Sequence, residues 1–141
     1  MRNRTFTTVC LVAFGLAIFA IPKRHQAYAI DGDTLVTSDG TKWRLNGVDA
    51  PELHDELGIP AKNRLQSMIT GQKVSCRAQG GHTYDRTAGV WWTQEVSDLG
   101  KAMVVQGYAL DCAKYSGGRY ARFETINARV RQRRATYCEV R

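Results

Sequence analysis

Between Ile30 and Glu52 two short apolar stretches, Leu35-Val36 and Trp43-Arg44-Leu45, are separated by Asp39-Gly40. Asp-Gly between such stretches predicts a β-hairpin, because a type I′ turn needs positive φ at both central residues. A two-residue loop sets Ser38 opposite Thr41 and Leu35 opposite Arg44. Side chains alternate faces along a strand. Asp33, Leu35 and Arg44 then share one face, and Val36 and Trp43 share the other. Gly47 ends the second strand, and Asp49-Ala50-Pro51-Glu52 follows as a loop.

Farther along, Pro60 suits the first turn of a helix. Ala61, Leu65, Met68 and Ile69 recur at helical spacing, and Gly71 supplies the stop. Lys73 to Ala78 alternates as a half-buried strand, with Val74 and Cys76 on one face and Cys76 as a core thiol. Gln79 to Asp85 is a loop that delivers Arg86 to a strand running from Thr87 to Thr93. Trp91-Trp92 give that strand one indole on each face, at least one of them in the core. Ser97-Asp98 caps a helix containing Leu99, Ala102, Met103 and Val105, closed by Gly107. Tyr108 to Tyr115 is an extended connection and Ser116-Gly117-Gly118 a turn. A last helix from about Arg119 to Ala135 carries Tyr120, Phe123, Ile126 and Val130 as its apolar stripe. Arg119, Arg122, Arg129, Arg131, Arg133 and Arg134 form its solvated face. This order of elements predicts an α+β domain with a small, mostly antiparallel sheet.

The N-terminus differs in kind. Met1 to Arg4 is basic, and Val9 to Ile21 carries no charge, too short a run for a comfortable spanning helix. Residues 1–24 are read as a signal peptide or an N-terminal membrane anchor, with export and cleavage preferred, and residues 25–141 as the folded domain. Cleavage after Ala29 would remove residues of the first strand, whereas cleavage after Ala20 keeps them. The second cut removes two arginines and no acid, taking the formal charge from +7 to +5. A basic balance suits a polyanionic partner. Cys76, Cys112 and Cys138 remain beyond the apolar run, so one disulfide at most forms within the domain. In an oxidising compartment Cys112 and Cys138 can pair, while the sequence leaves the pairing among the three cysteines open. No Cys-x-x-Cys pair exists and the three histidines are scattered, which speaks against zinc.

The hairpin gathers Asp31, Asp33, Asp49 and Glu52 around one arginine, Arg44. Gathered carboxylates repel, and a hard cation with oxygen ligands would relieve them. Singly, each residue has an ordinary role: Asp31 and Asp33 as turn residues, Arg44 and Asp49 as a surface ion pair, Arg86 as an exposed arginine. Together, Asp31-Gly-Asp-Thr34, Arg44-Leu-Asn-Gly-Val-Asp-Ala-Pro-Glu52 and Tyr84-Asp-Arg86 resemble the staphylococcal nuclease-like (thermonuclease) family. Asp98-Leu99, Ala102-Met103-Val104, Gly107-Tyr108-Ala109 and Tyr115-Ser116 extend the likeness over about Gln26 to Arg134.

The resemblance implies a five-stranded OB-type β-barrel flanked by three α-helices. It also implies a calcium-dependent endonuclease, working as a monomer on DNA and RNA with low sequence specificity. On that basis Asp33, Asp49 and the Ala50 carbonyl are expected to hold Ca2+, and Glu52 to activate or orient water. Arg44 and Arg86 are expected to bind phosphate oxygens, and Tyr84 and Tyr115 to pack against the nucleotide. A secreted or periplasmic protein is expected, touching a membrane only through its N-terminal segment. The alternative is an inactive nucleic-acid-binding OB module, but carboxylates beside phosphate oppose simple binding. The chain departs from the family at His82, where an acid is common, and at Asp85, which replaces the usual glycine and adds a negative charge beside Arg86. It departs again at Ala135-Thr136-Tyr137, which replaces the glycine–aliphatic–tryptophan ending.

Overall fold

The computed structural model describes residues 23–83 and 86–139, with the backbone alone described at 80–83. The apolar run at the N-terminus, Tyr84 and Asp85 therefore lie outside the described residues, as does the His82 side chain. Among the described residues no helix is long and apolar enough to cross a membrane.

The strands are β1 (Arg24–His25), β2 (Ala27–Ala29), β3 (Thr34–Thr37), β4 (Lys42–Leu45), β5 (Val48–Asp49), β6 (Val74–Thr83), β7 (Arg86–Trp92) and β8 (Leu110–Asp111). The helices are α1 (Gly58–Ile69), α2 (Leu99–Val105), α3 (Ala113–Ser116) and α4 (Ile126–Arg131). Six strands form one sheet in the order β1-β6-β7-β4-β3-β2, and β5 pairs with β8. Only Gln26 separates β1, on β6, from β2, on β3. The two edges of the sheet are thus halves of one segment, and the sheet curls closed, which removes exposed edges. This is the expected α+β OB-type architecture. With four described helices, two of them of six residues or fewer, it exceeds the expected three.

The barrel is filled by Leu35, Leu45, Leu65, Val74, Trp91 and Met103. Local signals set the helices well. Gly71 follows α1 at φ 73°, and Gly107 follows α2 at φ 75°. Asp98 caps α2 by accepting from the Lys101 N–H at 2.9 Å.

Four expectations need correction. First, the hairpin register is one residue off. The Thr37 N–H donates to the Thr41 carbonyl, so the loop has three residues, Ser38 to Gly40. Asp39 Oδ1 accepts from the Thr37 hydroxyl at 2.6 Å and the Thr41 N–H at 3.0 Å, which favours this longer loop over a two-residue turn. Thr34 therefore faces Arg44, and Leu35 faces Trp43. A one-residue slip flips every side chain to the other face. Leu35 and Trp43 turn toward the core, and Arg44 does not share their face.

Second, residues 79–83 continue β6 rather than forming a loop, with an irregularity between Ala78 and His82. Third, the stretch from Tyr108 to Tyr115 is not simply extended, because it contains β8 and the start of α3. Fourth, the long last helix does not exist. A 3₁₀ turn (Ala121–Phe123) is followed by an extended Glu124, and Thr125 caps α4 by accepting from the Ala128 N–H. The Glu124 carboxylate is recruited elsewhere, by the Asp111 N–H and by Arg129 and Arg134. Ile126 and Val130 are consequently 78% and 80% exposed, while Tyr120 and Ala128 are buried.

Gly47 joins β4 to β5 at φ 80°. A Cβ there would stand 2.7 Å from the Ser116 Cβ and 2.9 Å from its Cα. Gly47→Ala combines a left-handed conformation with this clash, and is expected to cost about 1–3 kcal/mol. Urea unfolding reads this as a lower midpoint. An unchanged midpoint would mean that α3 shifts freely.

Candidate active site

Asp31, Gly32 and Asp33 turn the chain into β3. The Asp33 N–H donates to Asp31 Oδ1 at 2.9 Å, a local bond typical of short acidic side chains in turns. A Cβ on Gly32 would lie 2.7 Å from the Cβ atoms of both Ala50 and Ala61, so glycine lets this turn settle against the loop after β5. That approach brings Asp33 onto Ala50. Asp33 Oδ2 accepts from the Ala50 N–H at 3.1 Å, and Oδ1 accepts from the Thr34 hydroxyl at 3.2 Å.

The corrected register supplies the cations. Thr34 pairs with Arg44, and Arg44 pairs with Ala88 on the parallel neighbour β7. Arg86 is two residues before Ala88, so Thr34, Arg44 and Arg86 share one face. Arg86 Nη1 donates to the Thr34 hydroxyl at 3.4 Å. Arg44 Nη2 lies 2.8 Å from Asp33 Oδ2 and 3.7 Å from Asp49 Oδ1. Glu52 is exposed in the loop, where its N–H donates to Asp55 Oδ2 at 2.9 Å.

A cleft of about 270 Å³ brings together Asp31, Asp33, Arg44, Ala50, Pro51, Glu52, Arg86 and Tyr137. Five of the predicted site residues meet there: Asp33, Arg44, Ala50, Glu52 and Arg86. Asp49 is buried beside the cleft, with Oδ2 accepting from the Ala135 N–H at 2.7 Å. Tyr115 is exposed and does not line the cleft; its ring stands 6.5 Å from that of Tyr137. The six arginines expected to be a solvated face are largely occupied. Arg129 and Arg134 pair with Glu124, Arg131 pairs with Glu56, and Arg119 donates to the Asn46 carbonyl.

Tyr137 is a cleft residue that sequence reasoning missed. Its signals were its neighbour Cys138 and the unusual ending in which it stands. Arg44 Nη2 donates to the Tyr137 hydroxyl at 3.2 Å, and that hydroxyl is 3.5 Å from Asp49 Oδ1.

Burial pushes the Asp33 carboxyl up to about 7, opposed by Arg44 and the Ala50 N–H and assisted by Asp31 and Asp49. Burial alone would lower Arg44, but Asp33 and the other acids hold it above its ordinary value. The two shifts thus reflect burial of the carboxyl first and its pairing with the guanidinium second. Among the described residues no group of three His, Cys, Asp or Glu side chains is already gathered around a metal position. The cleft's potential ligands are nevertheless hard oxygens: the carboxylates of Asp31, Asp33 and Glu52, with Asp49 adjacent. That donor chemistry, hard oxygens with no nitrogen or sulfur ligand, fits calcium in kind.

The family described as staphylococcal nuclease homologue matches residues 42–136. The chain belongs to that family. The matched stretch contains Arg44, Asp49, Ala50, Glu52, Arg86 and Tyr115, whereas Asp33 and Tyr137 fall outside it. A curated relative from Haemophilus influenzae, described as an uncharacterized endonuclease, is 27% identical over 124 residues, covering 82% of this chain and 69% of the relative. This staphylococcal nuclease homologue therefore carries a nuclease-type domain.

The raised carboxyl of Asp33 predicts a pH dependence for the metal-free protein. Its folded pKa, about 7, exceeds the ordinary 3.8, so its stabilising contribution is present at low pH and is lost as pH rises through 7. Asp33→Asn removes that loss. The variant is expected to gain stability relative to the parent at about pH 8 compared with about pH 4, measured by urea unfolding in chelator. A difference independent of pH would mean that the Asp33 carboxyl has the same pKa folded and unfolded.

Proposed function

We propose that this protein is an exported, calcium-dependent nuclease that hydrolyses phosphodiester bonds of DNA and RNA with low sequence specificity. The observation that carries the reading is the meeting of Asp33, Arg44, Glu52 and Arg86 in one cleft. Phosphodiester hydrolysis needs a deprotonated, aimed water and positive charge at the non-bridging oxygens. Asp33 and Asp49, with the Ala50 carbonyl, would hold calcium, which when bound supplies positive charge where phosphate becomes more negative.

The chain's own residues do the rest. Glu52 stands in water at the cleft and takes the proton of the attacking water. Arg44 and Arg86 project from one face of adjoining strands, and their planar forks match phosphate oxygens. No base-reading pocket is needed for this chemistry, which accords with low specificity. Export is supported by the apolar N-terminal run and by the Cys112–Cys138 disulfide, a bond that persists in oxidising compartments. The mature protein is proposed to be periplasmic or secreted, or held at the membrane by an uncleaved signal.

Three measurements test the reading. Plasmid and RNA cleavage is expected to stop in a calcium-selective chelator and to return with added calcium; full activity in chelator removes calcium from the proposal. Glu52→Gln is expected to lower kcat by roughly 10²–10⁴ while leaving calcium affinity nearly intact. Loss of calcium binding in that variant would make Glu52 a ligand instead of a base. Arg86→Lys keeps the charge but loses the fork, and is expected to reduce kcat strongly. A parental rate would remove Arg86 from the phosphate site.

A further inference from the structure

The segment after α4 returns to the cleft through several attachments within five residues. Arg134 Nε donates to the Asp111 carbonyl at 2.9 Å. The Ala135 N–H donates to Asp49 Oδ2. The Tyr137 hydroxyl lies between Arg44 and Asp49. Cys138 is joined to Cys112, whose N–H donates to the Gly47 carbonyl at 2.9 Å. Cys112 follows β8, and β8 pairs with the strand that carries Asp49. Asp49 is thus held from one side by its ladder and from the other by the returning segment, and the disulfide ties the two sides together.

The Tyr137 residue is about half exposed, so burial alone does not account for its place. Its hydroxyl accepts from Arg44 and donates to Asp49, which divides the guanidinium between Asp33 and the phenol. Without that acceptor, two acids would compete for Arg44 and its orientation would be less defined. Partners of this kind, which do not touch the reacting atoms, commonly orient the groups that do.

We propose that the segment Arg134–Cys138, fixed by the Cys112–Cys138 disulfide, is a positioning element of the active site: the Ala135 amide orients Asp49, and the Tyr137 hydroxyl orients Arg44 toward the phosphodiester. The inference rests on the nuclease reading and extends it to residues outside the family's matched stretch.

Tyr137→Phe keeps the ring and the disulfide and removes only the hydroxyl. With calcium present and a DNA substrate, kcat is expected to fall about ten- to a hundredfold, with KM and melting temperature nearly unchanged. Both sulfurs are buried, so the tether is removed by Cys112→Ser with Cys138→Ser instead of by reductant. This double variant is expected to lower kcat comparably. Adding Tyr137→Phe to it is expected to change little more, because the changes act through one contact. Hydrogen exchange at the Ala135 amide, slow in the parent, is expected to accelerate in the double variant. Parental kcat in Tyr137→Phe beside an inactive Glu52→Gln overturns this inference alone. Absence of cleavage by the parent protein overturns the nuclease reading and this inference with it.

Discussion

Arg44 sits between two buried carboxylates, at 2.8 Å from Asp33 and 3.7 Å from Asp49. Taking charges out of water is costly unless each is paired and hydrogen-bonded, and removing one partner leaves the others exposed to that cost. The surrounding elements act accordingly. The turn before β3 supplies Asp33, β4 supplies the guanidinium, β5 supplies Asp49, and the loop after β5 supplies the Ala50 amide. The returning C-terminus adds the Ala135 amide and the Tyr137 hydroxyl. Even so, burial keeps Asp33 hard to ionise near neutral pH. Burial, more than the neighbouring acids, is what opposes its charge, and Arg44 with the Ala50 amide works against that burial.

Closure of the sheet makes this arrangement rigid. Because β1 and β2 are halves of one segment on opposite edges, the position of β3 is fixed relative to β6 and β7 as well as β4. The parallel pairing of β4 with β7 then aligns Arg44 with Ala88 and carries Arg86 to the same face. A site built on strands in this way holds its charged groups with little freedom, which electrostatic stabilisation of a transition state requires.

The positive charge of the chain serves a different purpose from the one its density suggests. The arginine-rich end is used mainly for internal structure: two arginines close on Glu124, one on Glu56, one on the Asn46 carbonyl, and Arg122 lies over the Phe123 ring. These contacts set the course of the chain after α3 and bring the C-terminal segment to the cleft. The same basic balance still favours approach of a polyanion at long range.

What the sequence determined by itself was governed by short-range chemistry. Capping by Asp98, the glycine stops at Gly71 and Gly107, and the helical spacing of Leu65, Met68 and Ile69 act within a few residues. The sequence also places Asp31, Asp33, Asp49 and Glu52 on either side of Arg44, but their meeting depends on contacts such as that of Asp33 with the Ala50 amide. The tertiary structure decided whatever depends on distant partners. The break at Glu124 follows from its bond to Asp111, thirteen positions away, which outweighs a helical pattern of apolar residues. Tyr137 enters the cleft through contacts with Arg44 and Asp49, 93 and 88 positions away. No local periodicity encodes such distances. The hairpin register is the intermediate case, because the Asp39 bonds that favour a three-residue loop are local but invisible to the Asp-Gly signal. Only closure of the sheet turned that single residue into the shared face of Thr34, Arg44 and Arg86.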